Sequence, residues 1–223
     1  MSPALVFLFL LFFLFLLSKT VSQNLGLLIL QITKSKNTTI SFLAFVFLPG
    51  TIIHEFAHAA VAQALGVYVG EIELTPKVEG NQIKLGSVQV GQSDPLRRFL
   101  IGIAPLVFGI LLIVIAITIA SKMEINGFWP KAVLFYALFQ IGNTMFSSSR
   151  DVEGALELII VILFTFVFLY LIGYEQIPNQ LLQLSPNLEP FFALAKNPLQ
   201  IIIALDITTI VISKLFTSKN RTL

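Results

Sequence analysis

The chain has 223 residues, 56% of them hydrophobic and only 12% charged, with a mean hydropathy of +0.90. Soluble domains carry about a quarter charged residues, so this composition argues against a soluble enzyme and predicts a membrane protein set in a lipid bilayer. A net charge of +2 from dispersed basic residues argues against a nucleic-acid partner, and the absence of cysteine excludes disulfides and thiolate metal sites.

In chain order, residues 4–17 form an uninterrupted run of fourteen apolar side chains. As a helix this run rises about 21 Å, short of a ~30 Å hydrocarbon core, and its length also fits the apolar part of a signal peptide. "MSP" supplies no basic residue before it and no A-x-A-like site follows. The run therefore reads as a retained first transmembrane helix, with Lys19 snorkelling to the interface. Residues 25–32 read as an interfacial segment or the end of a first hairpin, and "TKSKNTT" as a polar break. Residues 40–65 are long enough to span; within them Pro49 and Gly50 predict a bend or a fresh helix start.

From 67 to 92 the pattern changes: β-branched residues alternate in places and "EGN" is a turn signal, which predicts short strands at 71–75 and 82–90. Arg97 and Arg98 mark a membrane boundary before a spanning helix at 99–120. "SKMEINGFWP" reads as a loop with Trp129 at the interface. Helices at 132–146 and 155–170 flank the polar break "SSSRDVEG". The segment "EQIPNQLLQLSPNLEP" is polar and proline-bearing, and 201–216 is a last, less apolar stretch that contains Asp206. This acid either pairs with Lys214 along its own helix or faces a neighbouring one. The fold class is an all-α polytopic membrane protein of about six transmembrane helices, with a small β segment between the second helix and the next. Three regions result: an N-terminal helix and linker at 1–39, a membrane core at 40–173, and a C-terminal loop and hydrophobic segment at 174–223.

The chemistry concentrates in "TIIHEFAHAAV", residues 51–61. His54 and His58 are four apart, so on a helix they lie one turn above the other on the same face. Two imidazoles at that spacing direct nitrogens at one metal ion, while Glu55 projects beside it as a base rather than a ligand. The pattern is H-E-x-x-H, the signature of zinc hydrolases. These are the only two histidines in the chain, and the arrangement would arise at random on the order of four times in ten thousand. A lone histidine on an apolar helix is ordinarily an interhelical packing residue. Three ionisable groups in one span are different, because each costs a few kcal/mol on insertion scales unless something compensates; a divalent cation does so. An open zinc site needs a third protein ligand, and without further His or Cys it must be an oxygen. Asp151, Glu153, Glu157 and Asp206 lie near downstream membrane boundaries. Asp151 follows the helix break "NTMFSSSR", where irregular backbone can turn a carboxylate into a cavity; it would also suit the first turn of the next helix.

Residues 40–173 resemble the intramembrane site-2 protease group of zinc metalloproteases. The resemblance rests on "HEFAH", the β segment, "GIAPLVFG" and "FQIGNTMFSSSRDVEG" in that order. It implies one zinc ion per chain held by His54, His58 and Asp151, with Glu55 as catalytic base. Asn143, eight residues before Asp151, would contact the substrate backbone or the site. The chain departs from the family pattern where Phe146 and Ser149 replace prolines, "RDV" replaces L-D-G, and "IAP" replaces A-G-P; Glu153 is the alternative third ligand. The activity implied is hydrolysis of peptide bonds in or near membrane-spanning segments of a protein or peptide substrate, in the cell membrane of a prokaryote. A locally unwound substrate would dock on the strands at 71–90 by β-addition. The competing readings are a membrane zinc protease with Glu153 or Glu157 as third ligand, and a non-catalytic metal-binding membrane protein or inactive homologue.

Overall fold

Nothing in the first thirty residues breaks a helix: after Pro3 there is no proline, and the Leu/Phe run favours helix. α1 accordingly runs Pro3–Thr33 without interruption, 31 residues or about 46 Å. The polar "SKTVSQN" that follows the apolar run of 4–17 is absorbed into the helix. Ser18 donates to the Phe15 carbonyl (2.9 Å), Thr20 to Leu16 (3.1 Å) and Asn24 to Thr20 (2.7 Å), so these side chains satisfy themselves against the preceding turn. Lys19 lies in the body of this helix, its Nζ 4.8 Å from the centre of the Phe15 ring.

The computed structural model describes residues 3–79, 82–123, 125–146 and 176–219, with the single positions 164, 168 and 171. The expected polar break after α1 is a two-residue turn. Lys34 takes a left-handed backbone (φ 53°), and Ser35 caps α2 (Lys36–Ala64) by accepting from the Thr38 amide. Pro49 lies inside α2, so the "PG" pair starts no new helix. The hairpin that follows has β1 (Val69–Glu73) antiparallel to β4 (Ser87–Val90), pairing Val69 with Val90 and Glu73 with Ser87. Farther out, β2 (Lys77–Glu79) pairs with β3 (Gln82–Lys84). β1 overlaps the strand expected at 71–75, the strand expected at 82–90 is divided into β3 and β4, and β2 lies outside both expected ranges.

α3 (Pro95–Lys122) starts under Asp94, whose carboxylate accepts from the Arg97 amide at 3.0 Å. That amide holds the exposed Asp94 carboxyl below its usual range. The spanning helix expected at 99–120 is in place, and Pro105 sits in its interior. α4 (Phe128–Thr144) follows Gly127, and α5 runs Gln176–Lys219. The proline-bearing stretch expected as a loop is therefore helical from Gln176 onward.

Among the described residues, four helical segments are long and apolar enough to cross a membrane: Pro3–Thr33, Lys36–Ala64, Pro95–Lys122 and Leu188–Thr217. They mark a membrane protein, and four of the about six spans expected are found among the described residues. α4, at 17 residues, is only about 25 Å long and falls short of a ~30 Å core. The span expected at 155–170 lies outside the described residues apart from 164 and 168.

The core is where α1, α3, α4 and α5 meet. Phe7 and Leu14 of α1 join Ile113, Leu138, Ile141, Leu199 and Ile202, and Phe7 packs on Phe192 with ring centres 5.2 Å apart. A second cluster joins Val21 to Leu43, Phe47 and Ile210. α2 docks on α4 through Gly50: a Cβ there would lie 2.5 Å from Thr144 Oγ1 and 2.9 Å from the Gln140 carbonyl. Only the lack of a side chain lets the two helices approach so closely. Gly50→Val should therefore destabilise the protein by about 1–3 kcal/mol through overpacking, read as a lowered midpoint of thermal unfolding in detergent. An unchanged midpoint would show that this approach is not tight.

Candidate functional site

α2 has two unlike faces. Leu43, Phe47, Thr51, His54, His58 and Ala62 succeed one another at steps of three or four and are all buried. Phe45, Ile52 and Phe56, on the opposite side, are exposed apolar residues suited to lipid. The histidines and Glu55 are thus set on the protein-facing stripe, where the surrounding helices rather than hydrocarbon must satisfy them. All three are at least 94% buried, with relative exposures of 3%, 6% and 6% for His54, Glu55 and His58.

The spacing of four brings the imidazoles together edge-on. Their centres are 4.7 Å apart at 81°, and Nε2 of His54 lies 3.1 Å from Nε2 of His58. The other nitrogen of His58, Nδ1, is 2.8 Å from the backbone carbonyl of Ile101 on α3. A carbonyl only accepts, so His58 Nδ1 donates, and in the neutral ring Nε2 carries the lone pair. His54 Nε2–H then donates to His58 Nε2 in the metal-free pair.

Glu55 is covered by the hairpin. Gly86, buried between β3 and β4, approaches so closely that a Cβ would stand 2.6 Å from Thr51 Cγ2 and 3.2 Å from Glu55 Oε1. The β segment is therefore a roof over the carboxylate, and glycine makes that roof fit.

α4 forms the far wall. Gln140 Nε2 (2.5 Å) and the Tyr136 hydroxyl (2.9 Å) both donate to the Val46 carbonyl of α2. Asn143 Nδ2 donates to the Phe139 carbonyl at 2.9 Å and to Asp206 Oδ1 on α5 at 2.8 Å. Both partners only accept, which fixes the orientation of the amide. Asn143 Oδ1, Asp206 Oδ2 and Gln140 Oε1 are buried acceptors that have no partner among the described residues. Asp206 thus faces a neighbouring helix rather than Lys214.

The structure brings together His54, His58 and Glu55, and sets Asn143 on α4, which docks against α2 at Val46 and Gly50, before His54. Asp151, and the alternatives Glu153 and Glu157, lie outside the described residues. Among the described residues no group of three or more His, Asp or Glu is arranged to hold a metal ion. Sequence reasoning missed the Ile101 carbonyl, Gly86 and the Asn143–Asp206 bond. No family model matches the chain, and no curated protein or solved structure matches it either.

The Asn143–Asp206 bond carries a stability prediction. Removing one partner strands a buried polar group at about 1–3 kcal/mol, whereas replacing both with apolar groups is close to neutral. Asn143→Leu should lower the unfolding midpoint, and adding Asp206→Leu should restore most of the loss. Simple additivity of the two substitutions would refute the pairing.

Proposed function

We propose that this chain is a multi-pass intramembrane zinc metalloprotease of the site-2 protease type, hydrolysing peptide bonds in or near the membrane-spanning segments of other proteins. The observation that carries the reading is the 3.1 Å approach of two buried Nε2 atoms beside a buried glutamate. Tetrahedral zinc with Zn–N bonds of 2.0–2.1 Å sets its nitrogens about 3.3 Å apart, so the imidazole pair fits the ion. The donor on His58 Nδ1 fits as well, since metal-ligating histidines characteristically give their second N–H to a carbonyl or carboxylate. Imidazole and oxygen donors suit zinc.

In this reading His54 and His58 hold the ion through Nε2, and Asp151 is the third ligand, with Glu153 as the alternative. When bound, zinc supplies Lewis-acid polarisation of water and of the scissile carbonyl. Glu55 takes the proton from the attacking water and returns it to the leaving amine, one residue serving as base and then acid. Burial beneath Gly86 keeps bulk water from this proton, and the roof must shift for a substrate to enter. Asn143 has spent both N–H groups, so it offers substrate an acceptor, Oδ1, suited to a peptide N–H. A peptide N–H is free to be bound only when the substrate helix is unwound, and the hairpin edges offer such a segment a strand to pair with.

Purified protein should contain one zinc per chain and cleave a model membrane-spanning substrate. Glu55→Gln should keep the zinc and lose at least about 10²-fold in rate, the range of general-base catalysis; His54→Ala should lose the zinc itself. If Glu55→Gln retains full activity, the hydrolase reading fails. Zinc held by a wild type that cleaves nothing would leave a non-catalytic metal-binding membrane protein.

A further inference from the structure

We propose that Pro105 is a positioning residue for the histidine pair: lacking an amide hydrogen, it leaves the Ile101 carbonyl open to His58 and thereby sets which nitrogen of His58 faces His54. The proposal rests on the reading of His54 and His58 as metal ligands for its functional meaning, and on backbone geometry for its substance.

Within an α-helix the amide of residue i donates to the carbonyl of residue i−4. α3 is helical from Pro95 to Lys122, so the amide due to the Ile101 carbonyl belongs to residue 105. That residue is proline and has no N–H. Ile101 and Pro105 are both buried, so solvent does not fill the vacancy, and an orphaned carbonyl there would be costly. What fills it comes from 43 positions away: His58 Nδ1, at 2.8 Å. Because the carbonyl only accepts, the proton of His58 is held at Nδ1 and the lone pair stays at Nε2. Nε2 is the atom 3.1 Å from His54 Nε2.

Any other residue at 105 would bring an amide that competes for the Ile101 oxygen from within the helix. A carbonyl has two lone pairs, so competition loosens the His58 bond without forbidding it. The imidazole would then be free to place its proton on Nε2, which blocks that nitrogen as a ligand. A proline in a helix interior is among the most destabilising single residues. Its position four residues after the carbonyl that His58 uses gives that cost a specific return in pre-orientation.

The test uses full-length protein in detergent with ¹⁵N-labelled histidine. The chain has only two histidines, so both rings can be assigned. At about pH 8, above the ordinary imidazole range, metal-free wild type should show one ring protonated at Nδ1 and bare at Nε2. Pro105→Ala should shift that ring toward the Nε2–H form and weaken zinc binding about 10–100-fold, the effect of losing an outer-shell partner. The α-hydroxy analogue of alanine at position 105 has the same methyl group but an ester oxygen in place of the N–H, and it should restore both readouts. The proposal is overturned if Pro105→Ala leaves tautomer and affinity unchanged, or if the ester variant behaves like Pro105→Ala, since ring geometry and not the missing donor would then be responsible. If wild type binds no zinc, the protease reading fails, while the tautomer comparison on metal-free protein still decides the role of Pro105.

Discussion

Water is missing from the interior of a bundle of membrane-spanning helices, so every polar group placed there must find its partner in the protein. That constraint organises the whole site. α2 alone carries Thr51, His54, Glu55 and His58 on its buried face, and the partners come from every side. α3 contributes a carbonyl to His58, and the hairpin contributes Gly86 over Glu55 and Thr51. α4 donates twice to the Val46 carbonyl, and α5 holds Asn143 through Asp206. One member of that cluster, His58, is bonded directly by a neighbouring element, the Ile101 carbonyl of α3. Apolar packing alone is much less directional, because lipid tails compete with leucine on equal terms.

Glycine makes these approaches close enough to matter. Hydrogen bonds and metal ligation require polar atoms within about 3 Å, while helices with ordinary side chains pack with axes 8–10 Å apart. Gly50 lets α2 and α4 come together one turn before His54, and Gly86 lets the hairpin lie directly on Glu55. On the α4 side helix therefore meets helix directly. On the hairpin side two-stranded pieces of three to five residues form the roof, and Val69 and Val90 pack against Ala62, Val67 and Ile101. A two-stranded hairpin is marginal on its own, so the roof depends on that packing for its place.

The His-Glu-His face of α2 was legible in the sequence because its signal is local: a helical period of four and three costly residues in one apolar run. The β segment was legible for the same reason, through turn residues and β-branched alternation. Helix lengths were not. "SKTVSQN" and "EQIPNQLLQLSPNLEP" look like breaks by polarity, yet helix continuity depends on backbone donors and on whether polar side chains can bond the preceding turn. Ser18, Thr20 and Asn24 do. Nor was the partner of Asp206 legible, since Lys214 and Asn143 are equally plausible until the packing of α4 on α5 is known. Gly86 was invisible for a similar reason: a glycine beside a strand is common, and only the three-dimensional approach to Glu55 gives it meaning.

Pro49 and Pro105 offer a physical comparison within one bundle. Each interrupts a spanning helix at a cost of about 3 kcal/mol in an exposed helix, and each frees the carbonyl four residues before it. For Pro49 that residue is Phe45, whose side chain faces outward with 74% exposure; for Pro105 it is the buried Ile101, whose oxygen meets His58. The same covalent feature therefore has different consequences according to which face of the helix its orphaned carbonyl lies on. On the inward face it creates a fixed acceptor, which holds the proton of His58 at Nδ1 and leaves its Nε2 toward His54.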